Sequence, residues 1–221
     1  MADNGMFAPL PGRPQRSAAA SAADDWRPVL PVPDDAPPGP PSYKHRGTPA
    51  GCWTYRDPAG KLLGYVLRFN LPDGGKEFLP ATWCQNAATG AREWRFKAWP
   101  APRPLYGLDR LAQRPAASVV VAEGEKASDV ATELLPDHVV ITSPNGAKGA
   151  GKADWSACRG RDITIWRDND EEGEAYAAAV ARRSAASPNP SRSRCRNRAC
   201  WRNGMPPMRS RKVGIRPGQR P

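Results

Sequence analysis

Ser118-Val119-Val120-Val121-Ala122 is an uninterrupted run of small and β-branched residues that ends in Glu123-Gly124-Glu125-Lys126. A strand with this pattern has no polar side, so both of its faces have to be covered. Helices on both sides of a parallel sheet provide that cover. The chain after it keeps the same rhythm. Lys126 to Leu135 can form a helix ended by Pro136, and Val139-Val140-Ile141-Thr142 reads as a second strand. A Gly/Lys loop and a short helix near Ala153–Cys158 lead to a third strand, Asp162-Ile163-Thr164-Ile165-Trp166, and Ala-rich Glu172 to Arg183 reads as another helix. Strands alternating with helices predict an α/β module over residues 116–183.

The chemistry is expected at the strand ends, because open α/β sheets form their sites beyond the carboxyl ends of their strands. The first strand runs into Glu123, and the third into Asp168-Asn169-Asp170-Glu171-Glu172-Gly173. Residues two apart in an extended segment project to the same side, so Asp168 and Asp170 can converge, with Glu123 approaching from a neighbouring strand. Carboxylates gathered in this way repel unless a cation neutralises them. Hard oxygen ligands favour Mg²⁺ or Mn²⁺ over zinc. A bound Mg²⁺ suits phosphoryl transfer. Gly124 allows close backbone approach at the strand end. Glu125, Glu171 and Glu172 read as helix-start carboxylates.

Glu123-Gly124-Glu125-Lys126, followed 45 residues after Glu123 by Asp168-Asn169-Asp170 and then Gly173, resembles the Toprim signature. With the Thr142-Ser143-Pro144-Asn145-Gly146 loop, the Lys76-Glu77-Phe78 region and the Pro104-Leu105-Tyr106 connector, the chain looks like phage- and plasmid-type primase/helicase proteins over residues 50–183. The resemblance implies metal-dependent nucleotidyl transfer that makes RNA primers in DNA replication. It implies Glu123 as catalytic or metal-binding Glu, Asp168 and Asp170 as the acidic pair that holds Mg²⁺ or Mn²⁺, and Lys126 as a phosphate contact. Its partners would be a single-stranded DNA template and nucleoside triphosphates, with a replicative helicase as a further partner. A Toprim nuclease is the alternative within the family. The tyrosine nucleophile of topoisomerases is disfavoured, since no Tyr has a marked context.

Gly146-Ala147-Lys148-Gly149-Ala150-Gly151-Lys152-Ala153 follows a strand and nearly matches a phosphate-binding P-loop. Ala153 replaces the hydroxyl that should hold Mg²⁺. The segment therefore reads either as a flexible turn or as a loop whose Lys148 and Lys152 meet phosphates.

Upstream, residues 51–115 predict a small β-rich unit and connector. Asp57-Pro58-Ala59-Gly60 and Pro72-Asp73-Gly74-Gly75 are turn signals between β-rich runs, the last of which ends at Pro80. Trp94-Arg95-Phe96-Lys97 alternates aromatic and basic residues, as a half-buried strand with a wet side does, or a sheet facing nucleic acid. Residues 1–50 hold 11 prolines and an Ala/Ser tract and are expected to be a disordered arm.

Charge divides the chain. Residues 184–221 hold nine Arg and one Lys with no acidic residue, +10 of the formal +11, leaving +1 on the other 183 residues. The body is near neutral, and any basic groove on it must be local. The tail lacks apolar period and is expected to be unpacked: an out-of-frame extension of a truncated primase-like chain, or a genuine basic arm. A DNA-binding remnant without catalysis is the non-enzymatic alternative. Five irregularly spaced cysteines argue against a zinc ribbon or a disulfide framework. Two histidines without evident partners give no support to nucleophilic catalysis. No run of apolar residues is long enough to span a membrane. A reducing cytoplasm is expected.

Overall fold

The computed structural model describes residues 25–39, 47–185 and 195–197. Residues 1–24 and 40–46 of the expected arm and most of the basic tail lie outside the described residues.

The β-rich unit is antiparallel. Its strands are β1 (Trp26–Pro28), β2 (Gly51–Arg56), β3 (Leu62–Asn70), β4 (Lys76–Asn86) and β5 (Arg92–Arg95), ordered β1-β4-β3-β2 with β5 also on β4. Both turn signals act through an aspartate. Asp57 Oδ1 accepts the Ala59 and Lys61 N–H groups, and Asp73 Oδ1 accepts that of Gly75. β4 runs past Pro80 to Asn86, longer than the sequence predicts. Pro80 pairs with Val66 on β3, while β1 and β5 join β4 only from Thr82 onward, so the missing N–H falls where β4 has one neighbour.

Two segments expected to be unpacked carry strands. Residues 25–39 belong to the antiparallel unit: Val29 N–H donates to the Trp83 carbonyl at 2.8 Å, Val32 N–H to that of Leu62 at 2.7 Å, and Val32 is buried. The prolines there supply acceptors, and the Trp94 indole N–H donates to the Pro37 carbonyl at 2.9 Å. The backbone of β9 (Cys195–Asn197) pairs in parallel with Ile163, Thr164 and Ile165. An open strand edge accepts an extended segment through main-chain groups alone, so side-chain periodicity is no guide to such pairing.

The α/β module follows the predicted order: α1 (Leu108–Gln113), β6 (Val119–Ala122), α2 (Glu125–Leu134), β7 (Val139–Ile141), α3 (Gly146–Gly149), β8 (Ile163–Trp166) and α4 (Glu171–Ala185). Its parallel sheet is ordered β7-β6-β8-β9. Val119, Val121, Ile141, Ile163 and Ile165 pack with Leu111 of α1 and Tyr176 and Val180 of α4. Val120, Ala122 and Val140 pack with Ala131 of α2 on the opposite face. Each large aliphatic side chain so buried contributes about 1.5–3 kcal/mol. The near P-loop is instead helical: residues 146–149 form α3, a 3-10 turn covers Ala150–Lys152, and the chain extends only at Ala153. A P-loop needs an open loop before its helix, so this segment is not one. The short helix expected near Ala153–Cys158 is a 3-10 turn at Ser156–Cys158.

Candidate active site

β6 and β8 are neighbours, so their carboxyl ends bring Glu123 and Asp168 together. Glu123 Oε2 accepts the Asp168 backbone N–H at 3.3 Å. Burial, outweighing that hydrogen bond, raises the Glu123 carboxyl above its ordinary 4.5, and the charges of Asp168, Asp170 and Glu172 push it the same way. Burial, then the charge of Asp170, raises Asp168 above 3.8. These carboxylates therefore sense one another.

Asp170 has a second task. Its Oδ1 accepts the Gly173 N–H at 2.7 Å, capping the first turn of α4. Gly173 is fixed by space, since a Cβ there would lie 2.3 Å from the Asp168 carbonyl oxygen. Gly124 stands at φ +100°, outside the range of L side chains, and its N–H donates to Thr142 Oγ1 at 3.0 Å. Tyr176 reaches from α4 to donate to the Ala122 carbonyl at 3.0 Å, directly before Glu123. Backbone bonds and one buried tyrosine thus lock both strand ends.

A cavity of about 330 Å³ opens at this edge, lined by Glu123, Asp168 and Glu172, with Lys126 and Lys148 among the other walls. Lys152 is not among its lining residues; it ends the 3-10 turn, and its carbonyl accepts the Arg103 N–H at 2.7 Å. Glu172, read from the sequence as a helix-start residue, is both in the first turn of α4 and on the cavity wall.

Among the described residues no three His, Cys, Asp or Glu side chains form a ready-made cage for a metal ion. The donor set still fits Mg²⁺. It is all oxygen, and Mg²⁺ usually takes one or two carboxylates and keeps waters or phosphate oxygens elsewhere.

No protein-family model and no curated protein matches the chain. Among solved structures it is similar to the primase fragment of the bacteriophage T7 primase-helicase protein, with 20% identity and a TM-score of 0.43 over 67% of this chain and 54% of that one. It is also similar to a chain in the bacteriophage T7 lagging-strand DNA polymerase structure with primase domains bound to an RNA/DNA hybrid and dTTP (20%, 0.41, 67% and 65%). A third similarity is to the DnaG primase catalytic domain bound to single-stranded DNA (17%, 0.36, 60% and 39%). The chain spans about half the length of the T7 fragment.

Sequence reasoning missed the seam that joins the two units at this site. Tyr55 donates to Glu125 Oε1 at 2.8 Å, and Glu125 is only 4% exposed. Trp53 Nε1 donates to Asp129 Oδ2 at 2.8 Å, and the Tyr106 hydroxyl to Asp129 Oδ1 at 2.8 Å. Glu125 and Asp129 lie four apart on one face of α2. Burial raises the Glu125 carboxyl, and the Tyr55 hydrogen bond partly offsets the rise. The available signal was the alternation of Trp53 and Tyr55, which puts both rings on one side of β2.

Proposed function

We propose that this chain is a primase-type Toprim protein that catalyses divalent-metal-dependent nucleotidyl transfer, joining nucleoside triphosphates into an RNA primer on single-stranded DNA. The supporting observation is the pair Glu123 and Asp168 on adjacent strand ends, inside one cavity with Lys126 and Lys148. In the reaction a ribose 3′-hydroxyl attacks an α-phosphorus and pyrophosphate leaves. Glu123, with its carboxyl raised by burial, accepts the hydroxyl proton more readily than a solvated carboxylate. Lys126 and Lys148 attract the triphosphate to the cavity. Asp168 would hold Mg²⁺, joined by the second oxygen of Asp170, which does not itself line the cavity, with Glu123 and Glu172 beside them. When bound, Mg²⁺ neutralises phosphate charge. A replicative helicase is the natural partner for such an activity.

Two measurements test this reading. Primer synthesis on a single-stranded template with Mg²⁺ should be present in the wild type and abolished by Asp168→Asn. Undiminished synthesis by that variant rejects the assignment. Independently of turnover, Mg²⁺ at about 100 times its dissociation constant should raise stability by about 2.7 kcal/mol. Asp168→Asn should erase most of that gain.

A further inference from the structure

Phe78 is one of three large apolar side chains exposed on the described surface, at 41%, and its free surface lines the carboxylate cavity. It belongs to β4 of the antiparallel unit, whereas Glu123, Lys126, Lys148 and Asp168 come from the α/β module. An aromatic ring exposed beside a charged cavity forgoes part of the benefit of burial.

The ring is nevertheless held. Trp53 stacks on it at 6.1 Å between centroids with the planes 26° apart, and the Trp53 indole is anchored to Asp129 of α2. Asp129 in turn accepts the Tyr106 hydroxyl. The chain of contacts from α2 through Trp53 to Phe78 fixes a flat apolar surface relative to the carboxylates. Asn145, directly before α3, also lines the cavity and shares a second, smaller crevice with Phe78.

We infer that Phe78 is the base-stacking residue of this site: the nucleobase of a bound nucleoside triphosphate lies on the Phe78 ring while its phosphates reach Lys126, Lys148 and the carboxylate-bound cation. The inference rests on the proposed function and adds a positioning residue to it. A cavity of about 330 Å³ suits one nucleotide and little more. Cations, carboxylates and a fixed aromatic plane are the three surfaces that a nucleotide's phosphates, metal and base require. Stacking is tolerant of base identity, so Phe78 would contribute affinity for all four bases.

The test uses the full chain with Mg²⁺, comparing the affinities of ATP and inorganic tripolyphosphate. Wild type should bind ATP more tightly. Phe78→Leu keeps apolar bulk but removes the plane, and Phe78→Tyr keeps the plane. Phe78→Leu should weaken ATP on the order of 10- to 100-fold and leave tripolyphosphate unchanged, while Phe78→Tyr retains the wild-type difference. ATP binding by Phe78→Leu at wild-type strength overturns the inference, as does an equal loss of both ligands. Weakened oligothymidylate binding with unaltered ATP binding also overturns it, since the stacked base would then belong to the strand. Asp168→Asn separates the two levels. Unchanged Mg²⁺-dependent binding of both ligands in that variant defeats the proposed function itself, whereas failure at Phe78 alone leaves it standing.

Discussion

The parallel sheet and the antiparallel sheet use their side chains in different ways. In the parallel sheet, Val119, Val121, Ile163 and Ile165 are buried, the strands are sealed by helices on both faces, and the candidate chemistry begins only where the strands end. In the antiparallel sheet, Trp53, Tyr55 and Phe78 present aromatic rings from one face towards the module, and two of them give hydrogen bonds to carboxylates of α2. The first sheet supplies a rigid floor at fixed strand ends. The second supplies a wall that has to be held at a fixed distance from that floor. Apolar burial, which has no direction, suffices for the floor. The wall requires directional bonds, which the phenol and indole groups provide.

The largest expected effect breaks the floor. Ile165 is buried between β6 and α4, so Ile165→Ala should lower stability by about 2–5 kcal/mol in urea unfolding. A loss of under 1 kcal/mol would mean that this sheet is not the main core. The next tests the join between floor and chemistry. Gly→Ala in a helix ordinarily gains about 1 kcal/mol. At Gly173 the added Cβ meets the Asp168 carbonyl, so Gly173→Ala should instead cost about 1–3 kcal/mol and weaken Mg²⁺ binding. A stabilised variant with intact Mg²⁺ binding would show that Asp168 is not held by this contact.

The third probes the wall. Tyr55→Phe strips a buried carboxylate of its donor and should cost about 1–3 kcal/mol. The cost should depend on pH. Glu125 titrates above its ordinary 4.5 in the folded chain, so its contribution is fully present below 4.5 and is lost as pH rises through the raised value. The Tyr55 hydrogen bond opposes that rise, and removing it lifts the carboxyl further. The deficit should be small near pH 4.5 and full at pH 8. Unfolding curves showing the same deficit at both would detach Glu125 from the effect.

The same contrast explains what the sequence disclosed. Runs such as Val119-Val120-Val121 identify themselves, because a strand apolar on both faces fits little else. The places of Glu123 and Asp168 at strand ends were legible because they are local properties. The seam was not, because Tyr55 and Glu125 are 70 residues apart and neither is unusual alone. The role of Phe78 was not legible, since exposure of an aromatic residue is a tertiary property. The double use of Asp170, as cap and as candidate ligand, needed the hydrogen bond to Gly173 to be seen. The β1 and β9 pairings rest on main-chain bonds at sheet edges, which composition does not record.

The smallest effect sharpens the comparison most. Tyr106 donates to Asp129, but Asp129 Oδ2 keeps the Trp53 indole when that hydroxyl is removed, so no buried carboxylate is left without a donor. The Tyr106 backbone also stays bonded to the Thr142 carbonyl at 2.8 Å, and Arg110 still covers the ring at 4.8 Å. Tyr106→Phe should therefore cost only about 0.5–1.5 kcal/mol, less than Tyr55→Phe although the same atom is lost. The two rings lie 5.4 Å apart, so the double variant should depart from additivity by about 0.5 kcal/mol or more if the seam acts as one unit. Strict additivity in urea unfolding would mean that each tyrosine holds its own carboxylate independently, and that the wall is fastened at two separate points.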